Sequence, residues 1–369
     1  MTDDARDFLF ELLETPSPTG FELEGQRVWA GYLDEAADRV ETNTYGSTFA
    51  VLEGRGSGED DGSGDESAAP QLMLDAHADE IGMMVSHVTD EGFLHVRPIG
   101  GTDRKISQAR RVRVLTEAGD AILGVTGHTA IHLRDRNDDD VPEWKDIYID
   151  IGADGEDEAR DRGVRVGLPV VSAEGPEQIT EHRLAGRALD NRLGGFVIAE
   201  TLRRLSEEEK RPEATVVAAN SVQEEIGGYG AAMTAFALDP DVAVAFDVTH
   251  ATDTPGLSAA EHGQVEMGEG PSVTHGTSAH PRVVERLTGA ADEADVPLQH
   301  EASSRRTGTD TDAIFRQRSG IPSALMSVPL RYMHSMSELV DLRDLEHCIE
   351  MQVAFARSLS AGDTFRAAL

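Results

Sequence analysis

Glu224 and Glu225 stand side by side in "NSVQEEIGGYGAA" (220–232), which follows an apolar run, residues 214–219, with the composition of a buried strand. A carboxylate taken out of water beside a core is costly unless a cation or hydrogen bonds compensate it. A lone Glu-Glu pair reads as a solvated strand end. Three other apolar runs change that reading: "QLMLDAHAD" (71–79), "DVAVAFDVTHA" (241–251) and "PSALMSVPLRYMHS" (322–335). At or just past its C-terminal end, each delivers a metal-binding residue type: His77 with Asp79, Asp247, and His334. Open α/β sheets bind ligands beyond the carboxyl ends of their strands.

Asp190, in "GRALDNRLGG", is a fifth candidate. Alone it reads as a helix N-cap, as Asp247 alone reads as a turn former. Their convergence with the histidines and glutamates makes both candidate ligands. Converging imidazoles and carboxylates suit a borderline-soft divalent metal. Two histidines and three carboxylates exceed the three protein ligands of an open zinc site. They suit two metals sharing a bridging carboxylate, an arrangement that can activate a water and polarise a carbonyl together. Hydrolysis there also needs a general base. One of two neighbouring glutamates can ligate while the other handles protons. Gly227 and Gly228 behind them permit a sharp turn.

These residues need a scaffold. Thr2 before Asp3 and Asp4 reads as a helix start, with Phe8, Leu9, Leu12 and Leu13 as its apolar stripe. "TPSPTG" (15–20) breaks that helix, and a second amphipathic helix is expected over about 22–38, burying Val28, Trp29, Tyr32 and Leu33. "STFAVLEG" (47–54) is a strand candidate. Residues 54–70 are acidic, glycine- and serine-rich, and read as a solvated loop. From about Met84 to Ser172 short alternating runs such as "GFLHVRPIG", "RRVRVLTEAG" and "VRVGLPVVS" follow one another with Gly and Asp turns. That pattern predicts a small β-barrel or sandwich inserted into an α/β domain. The expected division is 1–83 and 173–369 for the catalytic domain and 84–172 for the insertion. The main fold class is α/β, a mixed sheet flanked by helices.

The 369 residues carry a formal net charge of −35, and Lys105, Lys145 and Lys210 are the only lysines. Such a charge disfavours nucleic acid and anionic membrane as partners. Acid excess with scarce lysine fits a protein working in concentrated salt, where screening tolerates self-repulsion. A single cysteine, Cys348, rules out an intrachain disulfide and a cysteine-based zinc cluster. "MTDDARDF" lacks the pattern of a signal peptide, and no apolar run reaches membrane-spanning length, so a cytoplasmic protein is expected.

"TPSPTGFE", "DAHADEIGMMV", "GRALDNRLGG", "SVQEEIGGYGA", "FDVTHATDTPG", "GTDTDAI" and "PLRYMHS", in this order, resemble the motifs of the tetrahedral aminopeptidases, a family of dinuclear metallopeptidases. The resemblance spans nearly the whole chain. It implies a metallo-aminopeptidase with two divalent ions per subunit, zinc first and cobalt second. By the same resemblance His77, Asp190 and Asp247 hold one ion, and Asp190, Glu225 and His334 hold the other. Glu224 is then the general base, and Asp79 orients His77. The family also implies a PDZ-like insertion used for dimerisation, dimers assembled into a hollow tetrahedral dodecamer, and peptide substrates. Asn191 departs from the pattern, standing where many relatives carry a second Asp, and the 54–70 loop is longer than the family needs.

An N-acyl amino acid deacylase, or another dinuclear amidohydrolase, could use the same ligands. A glycosidase would use two carboxylates without metal, and a structural metal site would need no spare base. For the aminopeptidase, a cleft crowded with carboxylates, Asp79, Glu80 and Glu224 among them, is expected to welcome a substrate's α-ammonium and to repel its carboxylate. The arginines inside the motifs are Arg187, Arg192 and Arg331.

Overall fold

The computed structural model describes residues 1–55, 69–133 and 140–366. Its frame is an 11-stranded mixed sheet whose main path runs Arg39–Thr42, Thr48–Leu52, Thr215–Ser221, Gln71–His77, Val242–His250, Ser323–Arg331, Glu338–Asp341, Arg183–Gly186, Glu177–Gln178. The four runs singled out in the sequence are four consecutive neighbours at its centre, and all are parallel. Their carboxyl ends therefore open on the same side. Ala245 pairs with Asp75, which brings Asp247, two residues on, level with His77.

Central strands of a parallel sheet bury both faces, so they read as continuous apolar runs. Leu72, Leu74 and Ala76 join one core with Phe196, Leu202 and Phe355, whereas Met73 faces a second core with Ala219, Ala245 and Leu325. The first face is covered by helices Asp3–Glu14, Leu23–Leu33, Leu189–Ser206 and Leu342–Ser358, the second by Tyr229–Leu238 and Thr311–Ile314. Fully burying one such Leu or Phe contributes about 1.5–3 kcal/mol, and that burial keeps the strand ends in register.

Between two central strands the chain leaves to form a closed six-stranded antiparallel barrel, Gly82–Val88, Leu94–Ile99, Tyr148–Asp150, Ala121–Thr126, Arg111–Leu115, Pro169–Ser172 in spatial order. Val85, Leu94, Val96, Val112, Val114 and Ile149 fill its core. The alternation read in the sequence is the inside–outside alternation of these strands.

Two expectations change in detail. Thr2 caps the first helix, accepting the Ala5 amide at 3.2 Å, but the second helix stops at Leu33 and does not reach 38. The Asp38 amide bonds to the Val51 carbonyl at 2.8 Å, drawing the chain into the sheet edge. Trp29 and Leu33 are buried, whereas Val28 and Tyr32 are only half-buried; the Tyr32 ring stacks on Phe8 at 3.8 Å and its hydroxyl reaches Glu200 at 2.7 Å. Of the acidic stretch 54–70, residues 56–68 lie outside the described residues. Among the described residues, no helix is long and apolar enough to cross a membrane.

Candidate metal centre and active site

The strand ends bring all seven candidate side chains to one place. His77 Nε2 lies 3.2 Å from Asp190 Oδ1, 3.7 Å from Asp247 Oδ1 and 3.8 Å from Glu224 Oε2. His334 Nε2 lies 3.2 Å from Asp190 Oδ2 and 3.6 Å from Glu225 Oε2. The two oxygens of Asp190 thus face two different histidines. Ligand atoms of His77, Asp190 and Glu225 fall within 4.8 Å of one another.

Asp190 does not cap a helix. It and Asn191 have non-helical backbone angles at the head of Leu189–Ser206. Asn191 takes the cap: its Oδ1 accepts the Gly194 amide at 3.0 Å, and its Nδ2 donates to the Phe246 carbonyl at 2.8 Å. The departure from the family pattern at Asn191 is therefore satisfied locally, and Asp190 is left free to face the histidines.

Backbone in the left-handed region surrounds the site. Ala188, Gln223 and His334 have φ of 56°, 61° and 60° without being glycine, a conformation held only where surrounding contacts over-determine it. Glu338 supplies such contacts. Its Oε1 accepts the His334 amide at 2.8 Å and its Oε2 the Asp190 amide at 3.1 Å. Asp79 does the same on the other side, accepting the amides of Glu224 at 2.9 Å and Glu225 at 3.2 Å. The barrel reaches in as well, since a Cβ on Gly101 would lie 2.5 Å from His334 Nδ1.

His77 Nδ1 faces the Asp79 carbonyl at 3.1 Å and Asp79 Oδ1 at 3.5 Å. A proton on Nδ1 leaves the Nε2 lone pair toward Asp190 and Asp247, the tautomer a metal ligand needs.

Burial pushes the Glu224 carboxyl up to about 8 against the opposing pull of His77. Burial likewise raises Glu225 well above the carboxylate range, with Asp190 adding to it, and raises Asp247. Burial would also raise Asp190, but the hydrogen bonds from His334 and His77 overcome it and hold that group low. Burial would lower His77, yet Asp190, Asp247 and Asp79 keep it well above the usual imidazole value. The cluster is short of positive charge. Glu225 Oε1 is buried with no hydrogen-bond partner among the described residues. Imidazole and carboxylate donors this close, with an orphaned oxygen among them, fit divalent cations.

The cluster lines a cleft of about 750 Å³. Asp79 and Glu80 do not line it, contrary to the expectation from the sequence. Asp79 is buried beneath the Glu224–Glu225 turn, and Glu80 pairs with Arg187. Arg192 donates to the Ala78 and Leu12 carbonyls, and Arg331 pairs with Asp253. The arginines that do line the cleft are Arg305, Arg306 and Arg316. Sequence reasoning passed over them and over Glu338. Arg305 and Arg306 had a signal, being adjacent to the "GTDTDAI" motif. Glu338, one acid opening a short apolar stretch, had none.

The profile of the M42 glutamyl aminopeptidase family matches residues 62–351. The chain is 34% identical to a lysyl aminopeptidase of Pyrococcus furiosus over 97% of this chain and 98% of that protein. Its structure is similar to a TET aminopeptidase from a marine sediment thaumarchaeon, with a TM-score of 0.88 at 31% identity over 96% of each chain. It is also similar to the Pyrococcus horikoshii TET1 peptidase, which can assemble into a tetrahedron or a large octahedral shell; there the TM-score is 0.82 at 28% identity over 96% of this chain and 100% of that one. With this fold and this cluster of donors, the protein is a metal-dependent aminopeptidase, and the chain belongs to the M42 glutamyl aminopeptidase family.

Proposed function

We propose that the cleft removes N-terminal residues from peptides at a dinuclear centre. His77, Asp190 and Asp247 would hold one divalent ion and Asp190, Glu225 and His334 the other, zinc first and cobalt second. The observation that carries this reading is Asp190, whose two oxygens sit 3.2 Å from two different histidines. Two ions held there supply Lewis acidity to the scissile carbonyl and to the attacking water. Glu224, which is not needed as a ligand, takes the water's proton on its carboxylate and returns it to the leaving amine. Asp79 positions Glu224 and Glu225 through their amides and sets the His77 tautomer. The carboxylates around the ions favour a free α-ammonium at the reacting end.

The family is described by glutamate and the Pyrococcus furiosus relative by lysine. These have opposite charges, so no side-chain preference carries over from the names.

The same reading extends to assembly. Tetrahedral and octahedral shells among the structural neighbours support a homo-oligomer, a dodecamer built from dimers. Phe93, Leu123, Val125 and Val166 are exposed on or beside the barrel, apolar surface that a dimer contact would cover. A net charge of −35 with three lysines supports a salt-rich cytoplasm as the working environment.

The test is a pair of otherwise identical peptides, one with a free N-terminus and one acetylated, followed by mass spectrometry with and without chelator. The expected result is a ladder shortening from the free N-terminus only, abolished by chelation and restored by metal. Release of the acetyl group would replace this reading with the deacylase, and shortening from the C-terminus would overturn it.

A further inference from the structure

One wall of the cleft is formed by the segment between strand Gln299–Ser303 and helix Thr311–Ile314. It carries Arg305 and Arg306, and Arg316 lines the cleft just past that helix. All three side chains are exposed. The chain around them is pinned. The Arg305 carbonyl accepts from Thr277 Oγ1, and the Arg306 carbonyl accepts from Ser303 Oγ at 2.9 Å. Arg316 Nε donates to the Asp312 carbonyl at 2.6 Å.

The guanidinium groups of Arg305 and Arg306 have no hydrogen bond or ion pair with any described residue, and Arg316 has no ion pair among them. In a chain with 68 acids and 33 bases that is not for want of carboxylates. Two adjacent arginines repel one another, and a local acid would relieve them. The two acids of the cleft outside the metal cluster are engaged elsewhere. Glu301 accepts from Thr249 on one oxygen and from Ser272 on the other. Asp312 Oδ2 accepts the Gly308 amide at 2.9 Å. The wall thus presents planar cations without ion-pair partners among the described residues, in the same cleft as the carboxylate cluster.

We propose that Arg305, Arg306 and Arg316 are specificity residues that read a carboxylate of the peptide substrate. The inference rests on the cleft being the peptide site proposed above. An arginine fork matches a carboxylate bidentately and holds it in one orientation. A substrate with its α-ammonium among the cluster carboxylates and its own carboxylate on this wall is matched at both poles. The carboxylate can come from two sources: the side chain of an acidic residue at or near the N-terminus, or the free C-terminus of a short peptide.

The experiment measures kcat/KM for two matched pairs on the metal-loaded full-length protein. Glu-Ala-Ala-amide against Gln-Ala-Ala-amide tests the side chain, and Ala-Ala-Ala against Ala-Ala-Ala-amide tests the C-terminus. The charged member of at least one pair is expected to be cleaved about 10- to 100-fold more efficiently, the worth of a charge-assisted hydrogen bond. Whichever pair shows the ratio identifies the source. In the double variant Arg305→Ala/Arg306→Ala that ratio falls toward one. In Arg305→Glu/Arg306→Glu it inverts, and a lysine-bearing peptide amide gains. Circular dichroism and metal content identify any variant that has misfolded, and Arg316→Ala, tested alone, gives a third reading. Ratios near one in both wild-type pairs overturn the proposal, as does a ratio that survives the double substitution. If the wild-type protein cleaves none of the four peptides, it is the peptide-site reading that has failed.

Discussion

Asp79 Oδ1 accepts the backbone amide of Glu224 at 2.9 Å, although the two residues are 145 positions apart in the chain. Its other oxygen accepts the Glu225 amide at 3.2 Å and the Thr19 hydroxyl at 2.8 Å. One buried carboxylate thereby holds the turn that aims two neighbouring glutamates in different directions. Glu224 Oε2 ends 3.8 Å from His77, and Glu225 Oε2 ends 3.6 Å from His334.

That divergence separates their roles in a measurable way. Glu224→Gln should keep both metals and lose roughly 10²- to 10⁴-fold in kcat, the typical worth of a general base. Glu225→Ala should lose one metal per subunit. Elemental analysis and steady-state kinetics on the purified variants check both. If Glu224→Gln loses metal while Glu225→Ala keeps two and stays active, the assignment is reversed.

Glu338 fastens Asp190 and His334 through their amides without lining the cleft. Replacing it with alanine leaves the buried Asp190 N–H and the half-buried His334 N–H without this acceptor and frees His334 from its left-handed conformation. Metal affinity should fall about 10- to 100-fold, as for other groups that orient ligands from behind. Glu338→Gln keeps one accepting oxygen and should fall between. Metal titrations of the three proteins decide this, and equal affinities across the series would remove Glu338 from the site.

The protonation of the cluster links metal loading to pH. In the metal-free protein burial pushes Glu224 up to about 8 and raises Glu225 well above the carboxylate range, and the carboxylates around His77 hold its imidazole well above the ordinary value. Near neutral pH these groups hold protons, which binding of divalent ions must displace. Apparent metal affinity should therefore rise with pH toward about 8, and loading should release protons. Calorimetry in two buffers of different ionisation enthalpy would measure the release. A binding heat independent of buffer, with affinity flat across that range, would contradict it.

The net charge should make the proposed assembly salt-dependent. The Debye length grows from ~3 Å at 1 M to ~10 Å at 0.1 M, so subunits of charge −35 repel over longer distances as salt falls. Particles should dissociate to smaller species while the fold persists. Light scattering beside circular dichroism along a salt titration tests this. A particle that stays intact and fully active in dilute buffer would show that salt is not required.

Much of the molecule was legible in the sequence by periodicity. The four central strands announce themselves as apolar runs because both their faces are buried, as Met73 on one side and Leu72 and Leu74 on the other illustrate. The barrel is legible from its alternation. The end of the Leu23–Leu33 helix was not, because a sheet hydrogen bond at Asp38 settles it and no local signal does.

For the site, the order of residues alone determined which types arrive at strand ends, since a strand must end where its apolar run stops. That placed His77, Asp79, Glu224, Glu225, Asp247 and His334 as candidates, and Asp190 joined them from the head of a helix. Their distances depend on sheet order, and sheet order is a matter of which strands pair across long stretches of chain. Only the tertiary structure could put the strands carrying Glu225, His77, Asp247 and His334 next to one another. It alone moved Asp79 and Glu80 out of the cleft and showed that Asp190, a candidate ligand in the sequence, faces two histidines while Asn191 caps the helix. It also brought Arg305, Arg306 and Arg316 into the same cleft. Charge on a residue is written in the sequence, but what that charge faces is set by packing between segments far apart in the chain.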